Sequence, residues 1–376
     1  MSASIHELLE LALKHRASDL ILKAGSPPAL RIDGRIRITN GSALSHNQVY
    51  EFCQEIIFAS GRDLLLSLGG EDIELIERHS KEFLAQLDAG EELDLDFTVP
   101  ELMRVRANLY KQRHSFGASL RLIPLHPFTF EELNLPANMR DFARLPRGLF
   151  LVTGPTGSGK STTLAALMQF INESREVNII TVEDPIEYVF QDKKSVFHQR
   201  EVGQDTRSFS TALHSVLRQT PDVIMIGEMR DAETIAVALN AAEMGHLVIS
   251  SLHTTSAPSA IDRIFHAFPP HDQPFIRMQL AGVLGGIIAQ KLVPRIEGNG
   301  RVPAVEVLSN SPTVRKYIEE GATSELFGVM RDSHHFGMNT MNEALESLVS
   351  RGLISVEQAL ENAGNHAELK QMLRRT

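Results

Sequence analysis

The chain has 376 residues, a formal charge of −10 and an apolar content of 43%. That length accommodates two or more domains with sizeable cores, and the acidic balance argues against an extended nucleic-acid surface, leaving room only for a local basic groove. Cys53 is the only cysteine, which excludes an internal disulfide and a multi-cysteine zinc site.

The first residues lack the basic and apolar parts of a signal peptide. Ile5, Leu8, Leu9, Ala12 and Leu13 then recur at helical spacing and predict one buried face. Residues 18–22 predict a strand, and 30–38 a hairpin around Asp33-Gly34. Pairing Leu30 with Ile38 and Ile32 with Ile36 puts all four on one face only if the loop is residues 33–35, so a three-residue or bulged turn is expected. The stretch from about 49 to 90 reads as helical and strongly charged, with Ile73, Ile76, Phe83, Leu84 and Leu87 on its apolar side. Three alternating runs follow, at 93–99, 103–109 and 118–122, and predict half-buried strands of an antiparallel sheet. Residues 1–123 are therefore expected to form a smaller N-terminal α+β domain.

Four prolines between Pro124 and Pro146 break both periodicities and predict a linker over 124–147. From 148 to 376 the expectation is an α/β domain. Apolar strands at 149–153, 178–182, 223–226 and 247–251 alternate with helices near 160–172, 207–219 and 231–244. Such strands read as buried on both faces, which implies a parallel sheet. From about 272 the chain reads as mostly helical, with one strand near 304–308 and with Met338, Met341, Leu345 and Leu348 as core. The most apolar stretch, 280–289, contains three glycines and is too short to span a bilayer. The expectation is a soluble, cytoplasmic chain with no transmembrane segment, free to dock on a membrane complex.

The chemistry concentrates after the first strand of the second domain. Gly154-Pro155-Thr156-Gly157-Ser158-Gly159-Lys160-Ser161-Thr162 fits the phosphate-loop pattern G-x-x-x-x-G-K-[ST], between a strand and a helix. Glycines let successive N–H groups wrap one anion, and the helix start adds its positive dipole end. Lys160 is expected to place a charge on the β- and γ-phosphates and the Ser161 hydroxyl to bind Mg²⁺. The loop therefore predicts a nucleoside triphosphate site.

Three further segments lie at or beyond predicted strand ends, where an open parallel sheet places ligands. Glu183, Asp184 and Glu187 crowd one turn, which suits a Mg²⁺–water shell but also a solvated helix cap. Gly227-Glu228 ends another strand, where Glu228 is placed to orient an attacking water and reach the metal shell, or simply to open the next helix. His253, followed by Thr254-Thr255, suits a γ-phosphate sensor, although a lone His is more often structural. His334-His335 has no acidic or cysteine companion at a ligand spacing. Arg104, Arg106 and Arg121 alternate along the first domain's strands. They read as a solvated polar face or as groups that reach a nucleotide on a neighbouring subunit, worth about 10³–10⁵ in turnover.

Taken together these motifs resemble one family, the secretion-type motor ATPases, and within it the type IV pilus retraction ATPases (PilT-type). The resemblance covers nearly the whole chain. It rests on Ser18-Asp19-Leu20, Ile32-Asp33-Gly34, residues 154–163, Glu183-Asp184-Pro185-Ile186-Glu187, Gln199-Arg200-Glu201-Val202-Gly203, Gly227-Glu228-Met229-Arg230-Asp231 and Ser251-Leu252-His253-Thr254-Thr255. It implies a PAS-like first domain, a RecA-like motor domain and a homohexameric ring with ATP sites between subunits. It further implies Mg²⁺-dependent hydrolysis coupled to pilin disassembly at the inner-membrane pilus platform, beside paralogous motor ATPases, and hence twitching motility. By position it makes Glu228 the catalytic carboxylate, Glu187 and His253 site-completing residues, and Arg104, Arg106 and Arg121 the arginine fingers. The family's retraction-linked helix has an Ala-Ile-Arg-Asn-Leu core where this chain has Thr313-Val314-Arg315-Lys316-Tyr317, and the first domain carries extra charged helix over about 69–90. Both departures keep an accessory paralogue as the alternative. A pilus-assembly or type II secretion ATPase is disfavoured by the single cysteine, because those relatives usually carry a four-cysteine zinc module.

Overall fold

A computed structural model of the chain describes residues 4–67, 73–298 and 300–374, which divide into two units, Met1–Leu125 and His126–Thr376. The first unit runs α1 (Ile5–Lys14), β1 (Asp19–Lys23), β2 (Ala29–Ile32), β3 (Arg35–Ile38), α2 (His46–Ser67), α3 (Ile73–Ala89), β4 (Leu93–Val99), β5 (Met103–Gln112) and β6 (Ser115–Ile123). Its six strands pair antiparallel in the order β3-β2-β1-β6-β5-β4. α1 starts at a capping box in which Ser4 and Glu7 each accept the other's N–H. Its buried face is Ile5, Leu8, Leu9 and Ala12, whereas Leu13, expected there too, is 45% exposed. That face joins Val49, Phe52 and Ile56 of α2 and Leu20, Leu22, Val105, Ala107 and Leu120 of the sheet in one core. The charged stretch expected over about 69–90 contains α3, in which Ile76 and Leu87 are buried and Ile73 is exposed; residues 69–72 lie outside the described residues.

The hairpin corrects the expected register. Ala29 faces Ile38, Leu30 faces Arg37 and Ile32 faces Arg35, so the turn is the two-residue Asp33-Gly34. Both turn residues have positive φ (51° and 80°), the requirement of a type I′ turn. The expectation failed because it assumed a buried face: every residue of β3 is exposed, so apolar pairing has nothing to specify and turn chemistry sets the register.

The second unit begins inside the expected linker. Phe130, Leu135, Met139, Phe142 and Ala143 are buried in its core, the last three on α4 (Met139–Ala143), so apolar residues between the prolines anchor residues 126–147. The unit continues with β7 (Gly148–Thr153), α5 (Lys160–Ser174), β8 (Asn178–Glu183), β9 (Val196–Glu201), α6 (Phe209–Val216), β10 (Val223–Ile226), α7 (Ala232–Glu243), β11 (Leu247–Leu252), α8 (Ala257–His266), α9 (Gln273–Val283), β12 (Leu284–Pro294) and β13 (Arg301–Ser309). α10 (Pro312–Glu320), α11 (Leu326–Asp332), α12 (Met341–Ser350), α13 (Val356–Glu361) and α14 (His366–Met372) complete it. The seven-stranded sheet has the order β13-β12-β7-β11-β10-β8-β9, and only β13 runs antiparallel to its neighbour. Leu149, Leu151, Ile224 and Ile226 enter one core while Phe150, Val152, Val223 and Met225 enter another. Both faces are thus covered, which is why these strands read as unbroken apolar runs.

Two strands escaped the sequence reading. β9 is a polar edge strand whose only buried residue is Glu201. β12 occupies the glycine-containing stretch that was expected to be helical. Its glycines permit close approach: a Cβ on Gly286 would lie 2.3 Å from Phe142 Cε1, and one on Gly285 2.6 Å from Leu145 Cδ1. Met341, Leu345 and Leu348 pack on this hairpin in a satellite core, and Met338 is buried in the main one, as expected. No described helix is long and apolar enough to cross a membrane.

Candidate functional site: a phosphate loop at the carboxyl ends of β7, β8, β10 and β11

The site is assembled where four neighbouring parallel strands end. β7 and β11 are tied at their tips: the Thr153 hydroxyl donates to the Thr254 carbonyl (2.8 Å) and accepts from the Thr254 N–H (2.9 Å). Beyond Thr153 the chain turns through Gly154, Gly157 and Gly159, all at positive φ (154°, 78° and 88°), and enters α5 at Lys160. A Cβ on Gly154 would lie 2.4 Å from the Gln290 carbonyl oxygen and from Ser158 Oγ, so the loop closes only on glycine there.

Lys160 Nζ donates to the Gly154 carbonyl (2.9 Å) and the Pro155 carbonyl (3.1 Å) and lies 3.4 Å from His253 Nδ1. Burial draws the ammonium below its ordinary pKa, against the opposing pull of Glu228 and Glu187. His253 Nε2 lies 3.2 Å from Glu228 Oε2. An ammonium can only donate and a carboxylate only accept, so His253 here carries its proton on Nε2. Glu228 also pairs with Arg230, which lies 4.0 Å from Asp184. One chain of polar groups therefore runs from Lys160 through His253, Glu228 and Arg230 to Asp184. It brings together the phosphate loop and the three strand-end segments that the sequence had marked separately. Arg230 was missed; its only signal was two positions of spacing from Glu228.

The acidic turn is less uniform than expected. Glu183 is buried, its Oε1 accepting from the Thr181 hydroxyl (2.6 Å) and Gln199 Nε2 (3.1 Å). Gln199 also donates to the Tyr188 carbonyl (2.8 Å) and accepts from the Phe190 N–H (2.8 Å), so β9 sews the turn to the sheet. The Tyr188 hydroxyl in turn meets Thr162 in the first turn of α5. Glu183 is thus spent inside the fold, Asp184 is exposed beside Arg230, and Glu187 is half-buried facing Lys160. No three described His, Cys, Asp or Glu residues are gathered closely enough to hold a metal ion by themselves. Ser161 is exposed at the start of α5, and the buried Ser158 Oγ in the same loop has no hydrogen-bond partner, which fits an anion-binding loop.

Burial lifts the Glu183 carboxyl from 4.5 to about 6, against the hydrogen bonds from Thr181 and Gln199. The fold therefore favours the neutral acid, a stabilisation complete below about pH 4.5 and lost as pH rises through about 6. Thr181 and Gln199 are donors converging on one oxygen, which an amide oxygen also accepts, and the Glu187 N–H is a third donor to the carboxyl. Glu183→Gln is expected to stabilise the protein at pH 8 by roughly 2 kcal/mol, and to leave stability at pH 4.5 nearly unchanged. Denaturant unfolding at both pH values and fixed protein concentration checks this; equal destabilisation at both would refute it.

The three arginines lie in the first unit. Arg31, Asp19, Arg121, Arg106 and Asp96 stand side by side across five strands. Asp19 takes Arg31 (3.2 Å) and Arg121 (3.5 Å), and Asp96 takes Arg106 (3.4 Å). Arg104, opposite Thr98 and Ile123, has a buried Nε with no hydrogen-bond partner.

Residues 118–372 match the family model of the type II/IV secretion system proteins. The chain is 43% identical, over 96% of its own length and 98% of the relative's, to the type IV pilus retraction ATPase PilT of Pseudomonas aeruginosa. It is 37% identical to the type IV pilus ATPase PilU of the same organism, over 98% and 91%. A crystal structure of the pilus retraction motor PilT with bound ADP is similar at a TM-score of 0.81 and 39% identity, covering 99% of this chain and all of that one.

Proposed function

The chain belongs to the type II/IV secretion system protein family and is a P-loop ATPase of it, and from that premise we propose that it drives type IV pilus retraction and with it twitching motility. The observation that carries the reading is the unbroken polar chain from Lys160 to Asp184, on a molecule similar over nearly its whole length to a retraction ATPase. Lys160 leaves the Gly154 and Pro155 carbonyls for the β- and γ-phosphates of ATP. Glu228 holds the attacking water, and His253, bonded to both Glu228 and Lys160, reports which partner each has. Ser161 would hold Mg²⁺, with Glu228 and Glu187 at hand, and the ion would supply neutralisation of charge on the phosphates.

The working unit in this proposal is a homohexamer, with each ATP pocket completed by an arginine of the next subunit. The ring acts in the cytoplasm against the inner-membrane pilus platform, alongside paralogous motors. Deleting the gene is expected to leave surplus surface pili and abolish twitching, counted by electron microscopy and stab assay. Loss of all pili would instead mean assembly. The accessory-paralogue reading is favoured by one observation: α10, whose buried residues are Val314 and Ile318, carries Thr313-Val314-Arg315-Lys316-Tyr317. Unchanged pilus number after deletion would select it.

A further inference from the structure

The phosphate loop has a back wall that no motif announces. Gln290, on β12 one residue beyond the Ala289–Thr153 rung, is 3% exposed. Its Nε2 donates to the Ser158 carbonyl (2.8 Å) and its Oε1 accepts from the Thr163 hydroxyl (2.8 Å). The amide can face only this way, because a carbonyl oxygen accepts and never donates. A Cβ on Gly159 would lie 2.8 Å from the same Nε2, and one on Gly154 2.4 Å from the Gln290 backbone oxygen, so this one residue touches the loop at both ends.

In a trans peptide the C=O and the following N–H lie in one plane and point in opposite directions. A carbonyl of Ser158 held toward β12 therefore turns the Gly159 N–H away from β12, into the cradle. We propose that Gln290 is the positioning residue of the phosphate site: it fixes the Ser158–Gly159 peptide so that the Gly159 N–H is preset to donate to a nucleotide phosphate. Gln290 itself touches no phosphate. It acts through the loop, and Thr163 acts on Gln290 by holding the amide in register with α5. The inference rests on the nucleotide-binding reading of residues 154–162.

The test is equilibrium binding of MgADP to the full-length protein across pH. Gln290→Met keeps the length and removes the donor, and is expected to weaken binding by about 10- to 100-fold at every pH. Gln290→Glu is isosteric and loses its donor only when ionised. Its deficit is expected to be full at pH 8.5 and to shrink about tenfold by pH 5.5, where the protonated acid donates to Ser158 again. Wild-type affinity in Gln290→Met, or an equal deficit for Gln290→Glu at both pH values, would overturn the proposal, since a side chain that merely fills space has no such pH dependence. Should Gln290→Met fail to fold, as read by nucleotide-free thermal unfolding, the pH dependence of Gln290→Glu decides alone. Failure of the wild type to bind MgADP would sink the nucleotide reading itself, a separate result.

Discussion

Glu228→Gln is expected to reduce phosphate release by at least about 10³-fold while ATP stays bound, and Lys160→Ala to lose both hydrolysis and nucleotide affinity. The difference follows from what each side chain holds. Glu228 accepts from His253 Nε2 on one oxygen at 3.2 Å and pairs with Arg230 through the other, and a glutamine in the same place preserves the acceptor for one of the two. What it cannot supply is a negative charge to orient and polarise a water, so the pocket keeps its shape and loses its chemistry. Lys160 is the buried cation of the loop, with two donors on the Gly154 and Pro155 carbonyls. Truncation leaves the phosphate chain without the charge that both ground state and transition state use. Phosphate release under excess MgATP and equilibrium binding of a fluorescent ATP analogue separate the two. Normal turnover by Glu228→Gln would remove that carboxylate from the mechanism.

Much of this site was legible because its chemistry constrains the backbone. A loop that wraps an anion needs glycine at positive φ, and parallel strands covered on both faces need unbroken apolar runs; residues 149–163 display both. What escaped recognition was held by long-range partnership. Ser158 and Gln290 are 132 positions apart, and nothing near Gln290 distinguishes an amide that pins a loop from one at the surface. β12 was hidden by glycines that serve Phe142 and Leu145 rather than a turn. β3 was given the wrong register because an edge strand with both faces in water carries no pattern to read. The spacing marked Glu183 as one carboxylate of an acidic turn, and what it did not show is that Thr181 and Gln199, the latter 16 positions away, both donate to its Oε1.

The same distinction between paired and unpaired groups ranks the arginines. Arg121 and Arg106 are balanced within their own sheet by Asp19 and Asp96, at 3.5 Å and 3.4 Å. Arg104 is the one with a buried nitrogen lacking a partner, a costly arrangement unless an acceptor reaches it in the working assembly. Arg104→Ala is therefore expected to cost about 10³-fold or more in turnover, and Arg121→Ala much less. If the guanidinium acts across a subunit boundary, Arg104→Ala and Glu228→Gln should complement one another. In rings formed from an equal mixture, about one site in four joins an intact Glu228 to an intact Arg104 of the next subunit, and hydrolysis should return to that fraction of wild type. Arginine and carboxylate serving the same subunit would give no recovery at any ratio. On the shared-pocket proposal, turnover of the wild type should also collapse on dilution below the ring's assembly concentration, since a lone subunit would then own half a site. A monomer hydrolysing ATP at the full rate would refute the shared pocket outright.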